Sequence, residues 1–242
     1  MNTKNLFRSV MLLFVTLVAA SCVFYGDGIV GKGAIISEQI EVSSFDAVHS
    51  ASSADVEIVK GESLEVILSD YENLLEHWDI KVVNNTLIVQ TKPFSSLVNT
   101  RAKVKIVLPG ELYETKISGS GQITLNSQFS SLEKATITGS GNIRSNVNTD
   151  YSSVYVSITG SGNITLKGTA DELKAVTTGS GKMQLSDLSV LDADCSIAGS
   201  GDMYLNVEQS LKATISGSGD IFYTGRPVID LIGLGSGRLV HN

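Results

Sequence analysis

Asp202 and Asp220 are the residues best placed to do chemistry in this chain. Each directly follows a Gly-Ser-Gly triplet, and they lie 18 residues apart. In equivalent positions of stacked strands they would sit about 5 Å apart, within the carboxylate separations that glycoside hydrolysis commonly uses. The same slot, three residues after the first glycine of each triplet, reads Gln122, Asn142, Asn163, Lys182, Asp202, Asp220 and Arg238. Lys182 and Arg238 thus bracket the pair. Flanking cations lower a carboxylate's pKa, which suits a charge-compensated ladder better than a general acid. Exposed pairs of this kind add little stability. Ser120, Ser140, Ser161, Ser180, Ser200, Ser218 and Ser236 share one context, with no base placed beside any of them. Seven equal contexts point to geometry rather than to nucleophiles. His49, His77 and His241 are scattered, and no Cys/His spacing fits a metal. No triplet extends to G-x-G-x-x-G or to Gly-Lys-Ser/Thr, and no helical pattern follows one, so phosphate-gripping loops are a poor reading. The expectation is no catalytic residue, no metal and no cofactor.

The elements that position these residues are repeats. Triplets begin at Gly119, Gly139, Gly160, Gly179, Gly199, Gly217 and Gly235 and close at Gly121, Gly141, Gly162, Gly181, Gly201, Gly219 and Gly237. Two residues before each triplet come Ile117, Ile137, Ile158, Thr177, Ile197, Ile215 and Gly233. Four before come Thr115, Ala135, Val156, Ala175, Cys195, Ala213 and Leu231. Four after come Ile123, Ile143, Ile164, Met183, Met203, Ile221 and Leu239. Apolar and polar residues alternate on both sides, the period of a half-buried strand. The glycine pair permits a sharp corner, since Gly tolerates positive φ. Strand, corner and strand, repeated every 18–21 residues, predict an all-β solenoid, a parallel β-helix whose coils bury their inward side chains only by stacking. Cys195 falls in an inward slot and reads as a buried, inert thiol.

The 242 residues are 42% hydrophobic, with 23 Gly and 3 Pro, and carry a net charge of -7. That composition argues against disorder, and the acidity against nucleic acid as a partner. Lys4, Arg8 and the apolar run from Val10 to Ala20 form a signal-peptide pattern over residues 1–21, too short to span a bilayer. Ala19-Ala20-Ser21-Cys22 resembles the lipobox of bacterial lipoproteins, which implies a lipidated Cys22 and a membrane anchor. A plain secretory signal cleaved near Ala20 is the alternative. Residues 22–36 read as a tether and 37–242 as one domain, with degenerate coils over 37–112 and Gly-Ser-Gly repeats over 113–242. In the degenerate part, Ser52-Ser53-Ala54 stands where a triplet would, Asn84-Asn85 suits a tight hairpin, and Pro109-Gly110 stops a strand.

Serial copies of S/T-G-S-G-N/D/Q-I, after FDAVHSASSADVEIVKG and YENLLEHWDIKV, resemble the head-GIN-domain adhesin family. These auto-transporter-like proteins are secreted or lipoprotein β-solenoids common in Bacteroidetes. The likeness covers roughly residues 40–242. It implies a right-handed, pectin-lyase-like coil without catalytic residues. It also implies an exported cell-envelope protein, an outer-membrane lipoprotein held by its N-terminal lipid.

Five residues after the first glycine, Tyr204, Phe222 and Val240 form an apolar stripe on consecutive coils, a candidate contact surface. The expected function is a non-catalytic binding scaffold that displays a repetitive Ser/Thr/Asn face to a glycan or protein ligand. Homo-oligomers through the C-terminal coils are the further expectation. A carbohydrate-active β-helix enzyme, a polysaccharide lyase or hydrolase, is the alternative.

Overall fold

A computed structural model describes residues 28–242. The signal-peptide run and Cys22 lie outside the described residues. The chain is a β-solenoid of about six turns with almost no helix. Nineteen strands join in one sheet that winds around the core.

Each regular coil has two strand faces meeting at the Gly-Ser-Gly corner. The first face stacks Glu114–Ile117 on Lys134–Gly139, and that strand on the second half of Thr149–Gly160, all parallel and in register. The column continues through Gly168–Gly179, Lys182–Gly199 and Met203–Gly217 to Val228–Gly233. The second face stacks Gln122–Leu125, Asn142–Ser145 and Asn163–Thr165 in the same way, and ends at Ile221–Thr224 and Leu239–His241. From residue 149 onward a third face precedes the first within one long strand. The bend comes where two outward residues follow each other, at Ser152-Ser153 and at Asp171-Glu172, and break the alternation.

Like stacks on like inside. Ile117, Ile137, Ile158, Thr177, Ile197 and Ile215 form one column, and Ile123, Ile143, Ile164, Met183, Met203 and Ile221 another. All are essentially inaccessible to water. Each buried aliphatic side chain contributes roughly 1.5–3 kcal/mol. In the last coil the inward slots at Leu231, Gly233, Leu239 and His241 are not buried, because no further described coil covers them.

The two glycines of a triplet do different work. Gly139 has φ +132°, a region closed to other residues. Gly141 has no positive φ. A Cβ there would lie 2.5 Å from the carbonyl oxygen of Gly121 and 2.7 Å from Cγ2 of Ile117. At Gly139, Gly160, Gly179, Gly199 and Gly217 the first glycine makes the corner at positive φ, and at Gly141, Gly162, Gly181 and Gly237 the second lets the isoleucine of the preceding coil pack against bare backbone. Ser52 and Ala54 lie under Gly119 and Gly121, and the strands that pair beneath this first copy, Thr86–Thr91 and Lys103–Leu108, come from separate stretches of chain with no Gly-Ser-Gly corner between them.

The N-terminal part departs from uniform coiling. Ala47–Ala51 and Asp55–Lys60 start the two columns in parallel register with the first full coil. Beyond them, Glu65–Tyr71 runs antiparallel to Lys103–Leu108, and Ile35–Gln39 antiparallel to Glu65–Tyr71. Trp78–Val83 and Thr86–Thr91 form an antiparallel hairpin. Its turn residues Asn84 and Asn85 both have positive φ, as a two-residue primed turn requires. The helical turn Glu72–Leu75 crosses this end. Buried Asp70 ties it together. Oδ1 accepts the backbone N–H of Tyr71 and of Arg101, both at 2.9 Å. Oδ2 accepts Trp78 Nε1–H at 3.1 Å and the Thr100 hydroxyl at 2.6 Å.

Candidate functional site

The two aspartates singled out in the sequence do stack, and their carboxylates are engaged. In earlier coils the backbone N–H three residues after the first glycine donates to the glycine carbonyl of the preceding coil. Asn142 bonds to Gly121, Asn163 to Gly141 and Lys182 to Gly162. In the last coils a side chain takes over. Asp220 N–H donates to Asp202 Oδ1 at 3.0 Å, and Arg238 N–H to Asp220 Oδ1 at 2.7 Å. The Arg238 guanidinium also donates to Asp220 Oδ2 at 2.8 Å. These bonds from Arg238 hold the Asp220 carboxyl below its ordinary pKa. Such a group is a ladder acceptor and a poor proton donor.

Lys182 does not complete this column. Its ammonium lies 4.4 Å from the centre of the Tyr204 ring, a cation–π contact. Tyr204 and Phe222 stack with centroids 4.9 Å apart and planes 13° from parallel. Val240 pairs with Phe222 in the next coil. All three residues of the stripe are half-buried. Lys182 and Phe222 cover the two faces of Tyr204, so the stripe is a packed column rather than an open aromatic platform. The rest of this face is also self-bonded: Asn163 donates to Asn142 at 2.8 Å, and Asn146 to Asn126 at 2.7 Å.

The outer surface of the first face is different. Thr136, Ser157, Ser196 and Thr214 occupy one column, interrupted by Val176. Thr138, Thr159, Thr178 and Ser216 occupy the next, interrupted by Ala198. The second column is exposed along its length. The corner serines continue the hydroxyls past the glycines, and all seven are exposed. Neighbouring hydroxyls repeat at the strand spacing, roughly 4.8 Å along the axis.

Beside the hydroxyls runs a column that spacing could have revealed, five residues before each triplet: Glu114, Lys134, Tyr155, Lys174, Asp194, Lys212 and Asp230. Its neighbouring charges are opposite in sign, and Tyr155 separates Lys134 from Lys174. Lys134 pairs with Glu114 at 3.0 Å and Lys212 with Asp194 at 3.6 Å. Between this column and the bend lies a groove of about 320 Å³. Glu172, Asp192 and Ser210 line one side, and Lys174, Asp194 and Lys212 the other. His49 closes the hydroxyl face at its N-terminal end, with Nε2 2.9 Å from the Ser118 hydroxyl. Cys195 is buried behind the sheet, and burial pushes its thiol up to about 12. It is inert at neutral pH. Among the described residues, no group of three or more His, Cys, Asp or Glu side chains could hold a metal ion.

These stacked Gly-Ser-Gly corners coincide with a match over residues 44–227 to the family described as "Putative auto-transporter adhesin, head GIN domain". The chain belongs to this head-GIN-domain family. Solved structures share the fold. An adhesin-named protein from Bacteroides fragilis superimposes with a TM-score of 0.78 at 21% identity, over 89% of this chain and 100% of its own. A "putative lipid binding protein" from Parabacteroides distasonis gives 0.73 at 26% identity, over 89% and 100%. An adhesin-named protein from Parabacteroides merdae gives 0.71 at 24% identity, over 90% and 100%. No curated protein matches the chain. The head-GIN-domain solenoid is therefore shared over its length with proteins whose names speak of adhesion in two cases and of lipid in one.

Proposed function

We propose that this head-GIN-domain protein is a non-catalytic adhesin, exported and held to the cell envelope by a lipid on Cys22. It binds a glycan or protein through the hydroxyl columns of its first face. One observation carries this reading: the two outer faces differ in how their polar groups are used. On the second face the amides and carboxylates bond to each other from coil to coil. On the first face the threonine and serine hydroxyls stand exposed beside a groove of both charges. Hydroxyls and charges of both signs on a rigid sheet are suited to polyhydroxylated or zwitterionic ligands.

Binding to a broad glycan panel, together with pull-down from intact cells, tests it. Thr138→Glu with Thr159→Glu places two charges in the exposed column, and capture should fall at least tenfold. Asp202→Asn with Asp220→Asn should leave capture unchanged. Equal binding by all three proteins would overturn the assignment of the face. The anchor has its own test. Cys22→Ser should abolish incorporation of labelled fatty acid and release the protein from membranes. Retention of both would leave a plain secretory signal as the correct reading.

The groove lined by Glu172, Asp192 and Asp194 is what a carbohydrate-active enzyme would use instead. Turnover of any panel glycan, lost in Glu172→Gln or Asp192→Asn, would establish that reading over the adhesin.

A further inference from the structure

The two ends of the solenoid are finished differently. At the N-terminal end the outermost strands are Ile35–Gln39 and Trp78–Val83, each paired on one side and each antiparallel to its one neighbour. One strand opens with exposed Ile35 and Ile36 and continues with Ser37, Glu38 and Gln39, and the other carries the ion pair of Asp79 with Lys81, 2.7 Å. Short strands bearing charged side chains are how sheets blunt an edge. At the other end Val228–Gly233 pairs with Met203–Gly217 alone among the described residues, and every residue in it is exposed. Val228 is 78% exposed, Leu231 49% and Leu234 73%. Asp230 is its only charge. Ile229 and Leu231 continue the inward columns of Leu211 and Ala213, and among the described residues no further coil covers them.

We propose that this edge pairs with the same edge of a second copy of the chain, in a closed two-fold dimer. Head-to-tail growth would set this strand against the charged residues of Ile35–Gln39 and Trp78–Val83, whereas a two-fold axis joins like to like and stops at two. The strand is self-complementary in one antiparallel register, centred on Leu231. Leu231 then faces Leu231 of the second copy, and Ile229 faces Gly233, which has no side chain to obstruct it. Asp230 faces Ile232, so no like charges oppose, and Val228 covers Leu234. Leu231 and Val228 gain apolar partners, and the core columns of the two copies join. The occupant is thus a strand of this sequence rather than an unrelated peptide, which would have to match the Ile–Gly alternation by chance.

The test uses the full chain in a density-matched detergent. Sedimentation equilibrium at micromolar concentration should give two chains per particle, and Leu231→Asp one, with an unchanged circular dichroism spectrum. The register is read separately. Opposed residues in an antiparallel pair have Cα atoms about 4.5–5.5 Å apart, inside the range a disulfide spans. Leu231→Cys should therefore cross-link on mild oxidation, while Ile35→Cys at the blunted end should give only the background that wild type gives through Cys22. A single chain per particle for wild type, a dimer that survives Leu231→Asp, or equal cross-linking of both cysteine variants would overturn the proposal.

Discussion

Thr177 interrupts the isoleucine column of the first face between Ile158 and Ile197. Its hydroxyl is buried without a hydrogen-bond partner, and an unpaired buried hydroxyl costs about 1–3 kcal/mol. Its methyl already occupies the space against Gly201. Thr177→Val keeps that methyl and removes the unpaired oxygen. Thermal denaturation should show stabilisation of about 1 kcal/mol, a rise in Tm of about 2–4 °C for a chain of this size. His49 supplies a pH dependence. Burial, and next the charge of Lys116, hold its pKa below the ordinary 6.5. The unfolded chain therefore takes up the proton first. Stability from this group is full above about pH 6.5 and declines as the pH falls toward the lower native value. Urea titrations at pH 7.5 and 5.5 should show that loss in wild type. His49→Gln should flatten the difference.

Corner glycines act at the scale of the element. Gly139 combines a φ of +132° with a Cβ position 2.5 Å from the Gly119 carbonyl oxygen. Gly139→Ala should cost on the order of 2–5 kcal/mol, from strain and overlap together. Gly110 follows a strand, with ordinary φ and nothing within 4 Å of its Cβ position. Gly110→Ala should change stability by less than about 0.5 kcal/mol. Equal effects in denaturant unfolding would mean that corner stacking does not set the requirement for glycine. Repetition of the corner, rather than any one residue, fixes where the polar columns stand. Asp202 and Asp220 extend that rule, since their side chains accept an N–H that a glycine carbonyl accepts elsewhere.

The whole molecule is a one-dimensional stack, so its stability follows from neighbouring coils. Residues in Lys134–Gly139 and Gly168–Gly179 have a coil on each side. Val228–Gly233 has one. Amide exchange should be slowest in the middle coils and fastest over residues 228–242. Dilution below the dimer's dissociation range should accelerate exchange at 228–234 and leave the middle coils as they were. Uniform protection along the rod would contradict a stack of this kind. At the opposite end, the four hydrogen bonds to Asp70 close the first coils, and exchange there should resemble the middle rather than the open end.

The sequence by itself determined the solenoid. The triplets at near-equal spacing, with Ile137, Ile158 and Ile215 two residues before them, admit one arrangement that buries those side chains, because a single coil cannot. It also determined that Asp202 and Asp220 would stack, since equal slots in a repeat lie in one column. Only the tertiary structure decided what those carboxylates do, because a backbone N–H that one of them accepts lies a full coil away, at a distance no local pattern encodes. It decided that Lys182 turns to the Tyr204 ring instead of the aspartates, a choice among rotamers. It decided the antiparallel pairings of Ile35–Gln39, Glu65–Tyr71 and Trp78–Val83, where strand direction depends on which edges remain unpaired once the rest has folded. The charged column of Glu114, Lys134, Lys174, Asp194 and Lys212 was legible at a fixed offset from the triplets, but the groove beside it was not. Its walls come from a bend where the strand period slips by one residue, and the depth of a bend is set by packing across coils.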